Sequence, residues 1–227
     1  MRLISNLFLA ALVLTSVARG VTKPHVISFG KSTTVKWFAG PDEKLAVDLK
    51  VRALFVDARL KEFALGSPHD VTDRLFVVRR AFRLNDALPD ESIAHWRWER
   101  GGWLLVDRVS GHVTQIGLPE FDPYYSTASW YRDYVSYCGV SDDGKKLYAM
   151  VAQLGRRKPI LKKALGEVSG EDDRDWECPV PAWQRQPTRV TFAAKQKTEE
   201  KFTYTIHGHA VDLLNESNDE DTEEGTK

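Results

Sequence analysis

Long apolar runs are scarce in this sequence, and neither sign of charge is in excess. After the first apolar run, no stretch approaches the roughly 20 residues of a membrane-spanning helix, so we expect no membrane span. The 32 basic residues equal the 32 acidic ones, which argues against a nucleic acid as the partner. The hydrophobic fraction of 42% is nonetheless sufficient for the core of one domain.

Motifs of two common enzyme classes are also missing. No G-x-S-x-G elbow occurs that would present a nucleophilic serine. Gly30-Lys31-Ser32 ends like a phosphate-binding loop, but no glycine lies five residues before Gly30. We predict instead a hairpin turn between Val26-Ile27 and Val35-Lys36-Trp37. The sequence therefore nominates no catalytic residue and no cofactor.

The first eighteen residues have the form of a secretory signal peptide. Met1-Arg2 precedes an apolar run from Leu3 to Leu14, and small residues follow as far as Ala18. We predict cleavage after Ala18, which makes the mature protein periplasmic or secreted. By comparison with the bacterial lipoprotein signal, which requires a cysteine at the cleavage site, no lipid anchor is expected.

Export determines how the only two cysteines, Cys138 and Cys178, are interpreted. An even pair in an oxidising compartment is typical of a disulfide, so we predict that these two residues are bonded. In the chain-entropy model, closing a loop of this length stabilises the fold by roughly 4 kcal/mol. The alternative is two buried thiols in a reducing cell.

Alternating apolar and polar residues predict a single all-β domain over residues 19–210. Leu45 to Phe55 places every second residue, all of them apolar, on one face of a half-buried strand. Asp143-Gly144 and Ser110-Gly111 lie between strand-like runs and are hairpin signals. No convincing amphipathic helix is present. Residues 211–227 include seven acids, and we predict that they form a disordered acidic tail.

Hairpin-like units recur along the predicted domain at intervals of 40 to 50 residues. They begin near Leu54, Leu104, Met150 and Val190. This spacing is typical of propeller blades and predicts an antiparallel meander of about four blade-like units. A β-sandwich is the alternative architecture.

Two of these hairpins resemble those of a known family. Val140 to Tyr148 is similar to the S-P-D-G-K-x-L hairpin of secreted TolB-like and lactonase-like β-propellers, with Asp142 in place of the usual proline. Leu105 to Val113 is similar to the V-x-D-x-x-T-G-x-V hairpin of the same blades. In that family these residues build turns, so the resemblance implies a propeller-like fold and no particular activity.

Aromatic residues and carboxylates are concentrated between Phe121 and Tyr134. Flat apolar rings beside Asp and Arg suit a sugar ring or a peptide, and loops on β-scaffolds often bind ligands. The alternative is that the rings fill the space between sheets. The residues that we nominate for ligand binding are Tyr124, Tyr125, Trp130, Tyr131 and Asp133.

A second aromatic cluster combines Trp96 and Trp98, which share one face of a predicted strand, with Trp103. We predict that this cluster belongs to the core.

His207-Gly208-His209 has the best metal-like spacing in the chain, because residues two apart on a strand face the same side. A metal site needs at least a third ligand, which Asp212 or an acid of the tail could supply. The alternative is an exposed polar strand end.

These patterns together predict an exported β-rich binding or interaction protein without catalytic activity, whose partner is a protein or a glycan. One alternative is a carbohydrate-active enzyme that uses loop carboxylates such as Asp122 and Asp133, since glycosidases need two acids across a sugar. The other is a structural subunit of an envelope assembly, which contacts its neighbours through the acidic tail and the aromatic loop.

Overall fold

The computed structural model describes residues 23–38, 46–167, 178–194, 197–207 and 210–214. These residues form strands joined by turns and no helix, which confirms the all-β prediction. No helix of this part of the chain is long and apolar enough to cross a membrane. The strands are β1 Ile27–Phe29, β2 Thr33–Phe38, β3 Ala46–Val56, β4 Arg59–Asp70, β5 Leu75–Asn85, β6 Trp96–Asp107, β7 Val113–Ile116, β8 Ser129–Tyr131, β9 Tyr134–Val140, β10 Lys146–Gln153, β11 Leu161–Glu167, β12 Ala182–Gln184, β13 Arg189–Ala194, β14 Lys197–His207 and β15 Ala210–Leu214.

The strands pair into three antiparallel sheets. The first sheet has seven strands in the order β1-β3-β4-β5-β6-β7, with β2 also paired to β3. The second sheet has the order β11-β10-β9-β8, and the third has the order β12-β13-β14-β15. About four blade-like units were expected, but within the described ranges there are three sheets and no closed ring. The units near Leu54 and Leu104 merge because β4 pairs with β5.

Turn chemistry explains two of the hairpins. Gly111 lies between β6 and β7 with a φ of 66°, and Gly144 lies between β9 and β10 with a φ of 72°. Glycine adopts this left-handed region without the strain that a side chain adds. Both predicted hairpins are therefore confirmed by the strand pairings on either side.

The predicted hairpin at Gly30 is wrong. β1 and β2 both pair with β3, because Phe29 lies opposite Leu54 and Thr33 lies opposite Val51. Three residues of the edge strand thus span two of β3, which is the arrangement of a β-bulge. The Gly30 amide donates to the Ala53 carbonyl at 2.8 Å within this bulge.

The alternation predicted for Leu45 to Phe55 holds only in part. Val51 is buried as expected, but in the second half of β3 the buried residues are Leu54 and Val56. Since neighbouring side chains of a strand point to opposite faces, β3 buries a different face in each half. The second half packs into the core of the first sheet, whereas Val47 near the start of the strand is 47% exposed.

Within the described ranges, three clusters of buried residues stabilise the sheets. One lies within the first sheet, where side chains of β3 to β6 pack together: Leu54, Ala64, Phe76, Val78, Leu104 and Val106. A second lies on one face of the second sheet and packs against Leu118, Phe121 and Trp130. The third joins the second and third sheets and contains Cys138, Leu147, Ala149, Val151, Val190, Phe192, Tyr204 and Ile206.

A disulfide joins Cys138 of β9 to Cys178, which precedes β12, as predicted. The two Cα atoms are 6.3 Å apart, and 40 positions separate the residues in sequence. The bond therefore links the second sheet to the start of the third, beside their shared core.

Some predictions fall at the boundary of the described ranges. β15 pairs with β14, so the third sheet includes residues 211–214, which we had predicted to belong to the acidic tail. Val211 and Leu213-Leu214 are apolar, and such residues suit a strand better than an acidic tail. Residues 1–18, His209 and residues 215–227 lie outside the described residues.

Candidate functional site

The aromatic segment that the sequence singled out connects the first sheet to the second. It begins after β7 with a turn that Asp122 organises, since Asp122 Oδ1 accepts from the amides of Tyr124 at 2.6 Å and Tyr125 at 3.3 Å. Ser126 Oγ donates to the Cys138 carbonyl at 2.7 Å. The turn is thus fixed to β9, and the Asp122 carboxylate serves the backbone of its own turn.

Arg79 of β5 fixes the same turn to the first sheet. Its guanidinium donates to the carbonyls of Pro123 at 2.6 Å and Ser126 at 3.3 Å. Burial, and then the nearby Arg100, lowers the pKa of Arg79 to about 9, so the group still carries its charge at neutral pH. The sequence analysis did not identify Arg79, because its acceptors are backbone carbonyls 22 to 47 positions away in the sequence.

Tyr124 contacts a buried carboxylate. Its hydroxyl donates to Glu99 Oε2 at 3.0 Å, and the indole of Trp37 donates to the same oxygen at 3.1 Å. Arg97 Nε lies 2.8 Å from the other oxygen of Glu99, which is 2% exposed. Burial, and then Glu99, raises the pKa of the Tyr124 hydroxyl. The nominated Tyr124 is therefore already engaged by a protein partner.

Tyr125 and Tyr131 pack between sheets. Tyr125 packs against the core shared by the second and third sheets. The ring of Tyr131 lies 5.6 Å from that of Trp183, whose indole donates to the Ser129 carbonyl at 3.0 Å. For these two nominated residues, the structure matches the alternative that large rings fill the space between sheets.

A cavity of about 320 Å³ lies where the end of the first sheet meets the second sheet. Trp130 forms part of its wall, which brings one nominated residue to an open site. Most of the lining is apolar or backbone: Ile116, Gly117, Leu118, Pro119, Val135, Ala152, Leu154, Gly155 and Pro159. The remaining lining residues are Gln153, Arg156 and Arg157.

Ring contacts hold Trp130 in this wall. Its indole lies edge-on to Trp103 at 5.3 Å and stacks on His69 at 6.1 Å. His69 Nε2 is in turn 2.8 Å from the Arg132 carbonyl. The ring that faces the cavity is therefore positioned by the first sheet.

Two buried polar atoms of the lining residues lack a partner. Trp130 Nε1 and Gln153 Oε1 have no hydrogen bond among the described residues. The other end of the Gln153 amide donates to Asp133 Oδ2 at 2.7 Å. Asp133, also nominated from the sequence, is not a lining residue, and its carboxylate contacts the cavity wall through Gln153.

The charged side chains that line the cavity are both positive. Arg156 and Arg157 are exposed lining residues, and none of the lining residues is acidic. Neither arginine forms an ion pair with a described acid. The cavity thus combines an apolar wall with two positive side chains.

Two further aspartates that a glycoside hydrolase could use, Asp107 and Asp143, are engaged in turns. Asp107 pairs with Arg74 and also accepts from the Val109 amide at 2.8 Å. The hydrogen bond from Arg74 is the main cause that lowers the pKa of Asp107. Asp143 accepts from the Lys145 amide, and its hydrogen bond with Ser141 lowers its pKa.

The structure describes only one residue of the predicted histidine pair. His207 is the exposed last residue of β14, and His209 lies outside the described residues. No group of three or more His, Cys, Asp or Glu side chains is placed to hold a metal in the part of the chain that the structure describes.

No protein-family model, no curated protein and no solved structure matches this chain.

Proposed function

We propose that this protein is an exported binding protein that takes a small, partly apolar anion into the cavity between the first and second sheets. The observation that carries the proposal is the cavity of about 320 Å³ walled by Trp130. Its volume lies within the range of roughly 300–1,000 Å³ that is usual for small-molecule sites.

The lining suggests how such a ligand would be held. The aliphatic wall and the Trp130 ring favour an apolar body, and Arg156 and Arg157 favour a carboxylate or sulfonate at the rim. Trp130 Nε1 and Gln153 Oε1 lack partners in the part of the chain that the structure describes, and a buried polar group without a partner costs about 1–3 kcal/mol. A ligand that supplied those partners would recover part of this cost.

Binding is favoured over glycoside hydrolysis because the candidate acids have structural roles. Asp122 and Asp143 accept backbone amides in turns, Asp107 pairs with Arg74, and Asp133 accepts from Gln153. Export is supported by the disulfide, which is typical of oxidising compartments.

We also propose that the second and third sheets are arranged like propeller blades. Each is an antiparallel meander of four strands, and the two stack through one shared core, as neighbouring blades do.

The proposal that the cavity binds a ligand is tested by filling the cavity with a side chain. A Cβ added at Gly117 meets no heavy atom within 4 Å, so Gly117→Leu places a side chain in the cavity wall without a clash at its first atom. Gln115→Leu is the matched control, because Gln115 is exposed on β7 and is not a lining residue. The probes are benzoate, salicylate and naphthalene sulfonate, and binding is measured by ligand-observed NMR and calorimetry.

We expect one-to-one binding of at least one probe to the wild-type protein and to Gln115→Leu, and no binding to Gly117→Leu. Replacing Arg156 and Arg157 by Gln should weaken binding about tenfold, which corresponds to about 1.4 kcal/mol. Equal binding by Gly117→Leu and Gln115→Leu, or no binding of any probe to the wild-type protein, would overturn the proposal.

A further inference from the structure

Pairing between β4 and β5 ends at Ala81, and beyond that point the extension of the β5–β6 hairpin carries aromatic residues on one face. β4 pairs with β5 as far as Ala81, whereas β5 and β6 remain paired to Asn85 and Trp96. In this extension Arg83 lies opposite Trp98. Because side chains alternate along a strand, Trp96 and Trp98 share the face of Arg83.

Phe63 of β4 completes this face. It lies opposite Ala81, and its ring meets Trp98 edge-on at 5.0 Å. The Arg83 guanidinium carbon is 5.7 Å from the ring centre of Phe63 and 5.5 Å from those of Trp96 and Trp98. We call these four residues the aromatic platform: Phe63, Arg83, Trp96 and Trp98.

The platform is open to solvent. Trp96 is 60% exposed, although the sequence analysis predicted that it belongs to the core. Of the three tryptophans in that predicted cluster, Trp103 is buried and Trp98 is half-buried. The prediction was wrong for Trp96 because pairing between β4 and β5 ends at Ala81, so within the described ranges this part of β5 pairs with β6 alone.

Arg83 has no acidic partner among the described residues; its contacts there are the three rings. Arg97, on the other face of β6, differs because it pairs with Glu99 at 2.8 Å and approaches Asp86 at 3.7 Å. Arg97 is thus neutralised by acids, whereas Arg83 presents its charge beside aromatic rings.

We propose that the aromatic platform binds an acidic glycan, that is, a polysaccharide whose sugars carry carboxylates. The apolar C–H faces of a sugar ring suit the exposed indole of Trp96. A carboxylate of the same chain would accept hydrogen bonds from Arg83, whose planar guanidinium matches carboxylate geometry. The charge of the ligand thereby complements the uncompensated charge of the platform.

This site is separate from the cavity. None of the four platform residues lines the cavity, and the two proposals need different ligands.

A protein partner is the competing occupant, and the side chains at this end of the hairpin distinguish the two. Leu84 is 43% exposed, but it lies opposite Arg97 and therefore on the other face. Leu88 and Ile93 are exposed in the connection beyond the strands. Rings and arginine are also common in protein interfaces, so the uncompensated charge of Arg83, and not the composition of the face, is what favours an acidic glycan.

The test uses affinity electrophoresis of the purified protein in gels that contain polygalacturonate. Hydroxyethyl cellulose serves as the neutral glycan and polyglutamate as a polyanion without sugars. The variants are Trp96→Ala, Trp96→Tyr and Arg83→Gln. Arg185→Gln is the matched control for loss of charge, because Arg185 is exposed in the turn between β12 and β13.

We expect polygalacturonate to retard the wild-type protein at physiological salt more strongly than either other polymer. Trp96→Ala and Arg83→Gln should each weaken binding about tenfold, Trp96→Tyr should keep most of it, and Arg185→Gln should leave it unchanged. Near-uv circular dichroism of each variant checks that the fold is intact.

Three results would overturn the proposal. Equal retardation by polyglutamate would mean that charge alone is recognised. Binding of polygalacturonate by Trp96→Ala at wild-type strength would show that the indole does not stack on a sugar ring. A wild-type dimer that becomes monomeric in Trp96→Ala, measured by sedimentation, would assign the platform to an interface between copies of this chain.

Discussion

The two aromatic clusters of the molecule differ in what covers them. The rings between Phe121 and Tyr134 lie where three sheets meet, so most of them pack against a neighbouring sheet and one, Trp130, forms a cavity wall. The aromatic platform begins at Phe63, where pairing between β4 and β5 ends, and continues along the part of β5 and β6 that β4 does not pair with, so Trp96 remains exposed. Exposure thus follows from where the pairing between adjacent strands ends, rather than from how densely aromatic residues occur.

Removing the disulfide should have the largest effect and should separate the two clusters. We expect Cys138→Ser combined with Cys178→Ser to lower the free energy of unfolding by about 4 kcal/mol, because the unfolded chain regains the freedom of a long loop. Urea denaturation measures the loss. Hydrogen exchange should rise around Trp183 and remain unchanged around Trp96 and Trp98. An equal rise in both places would show that the two clusters open together.

Removing one indole from each cluster gives a direct contrast. We expect Trp130→Ala to lower the free energy of unfolding by about 3 kcal/mol, because it removes ring contacts with Trp103 and His69. Trp96→Ala, the matched variant in the platform, should change stability by less than about 0.5 kcal/mol, since that side chain is mostly in solvent. Similar losses of stability in the two variants would contradict the difference in burial between the two clusters.

Removing a single hydroxyl should have a smaller effect than removing the disulfide or the Trp130 indole. We expect Tyr124→Phe to lower the free energy of unfolding by about 1 kcal/mol, because Glu99 loses one of its hydrogen-bond donors. Tyr148→Phe is the control, since its ring contacts Lys162 and no hydrogen bond is seen at its hydroxyl within the described ranges. Thermal melts compare the variants. If both variants melt like the wild-type protein, the Tyr124–Glu99 contact contributes nothing measurable.

Local patterns in the sequence predicted much of the fold. The all-β class, the turns at Gly111 and Gly144 and the Cys138–Cys178 bond each depend on a few neighbouring residues or on one pair. The same approach failed at Gly30, because a bulge and a hairpin place similar residues between two short strands. It also failed to give the number of sheets, since pairing between β4 and β5 merges two predicted units.

The candidate site was harder to predict than the fold, because its key contacts join distant parts of the chain. Trp37 donates to Glu99 across 62 positions, and Arg79 donates to Pro123 across 44. No spacing rule connects such residues. Trp130 was nominated for its aromatic character, but the cavity beside it arises from the meeting of two sheets.

Arg79 also ties the first two sheets together. Its guanidinium donates to the Pro123 and Ser126 carbonyls, and Ser126 Oγ donates to the Cys138 carbonyl of β9. Moving this turn away from the first sheet would leave a positive guanidinium without those acceptors in an apolar interior, which is costly. A single arginine of β5 therefore keeps β5 and β9 at a fixed spacing where the chain passes from one sheet to the next.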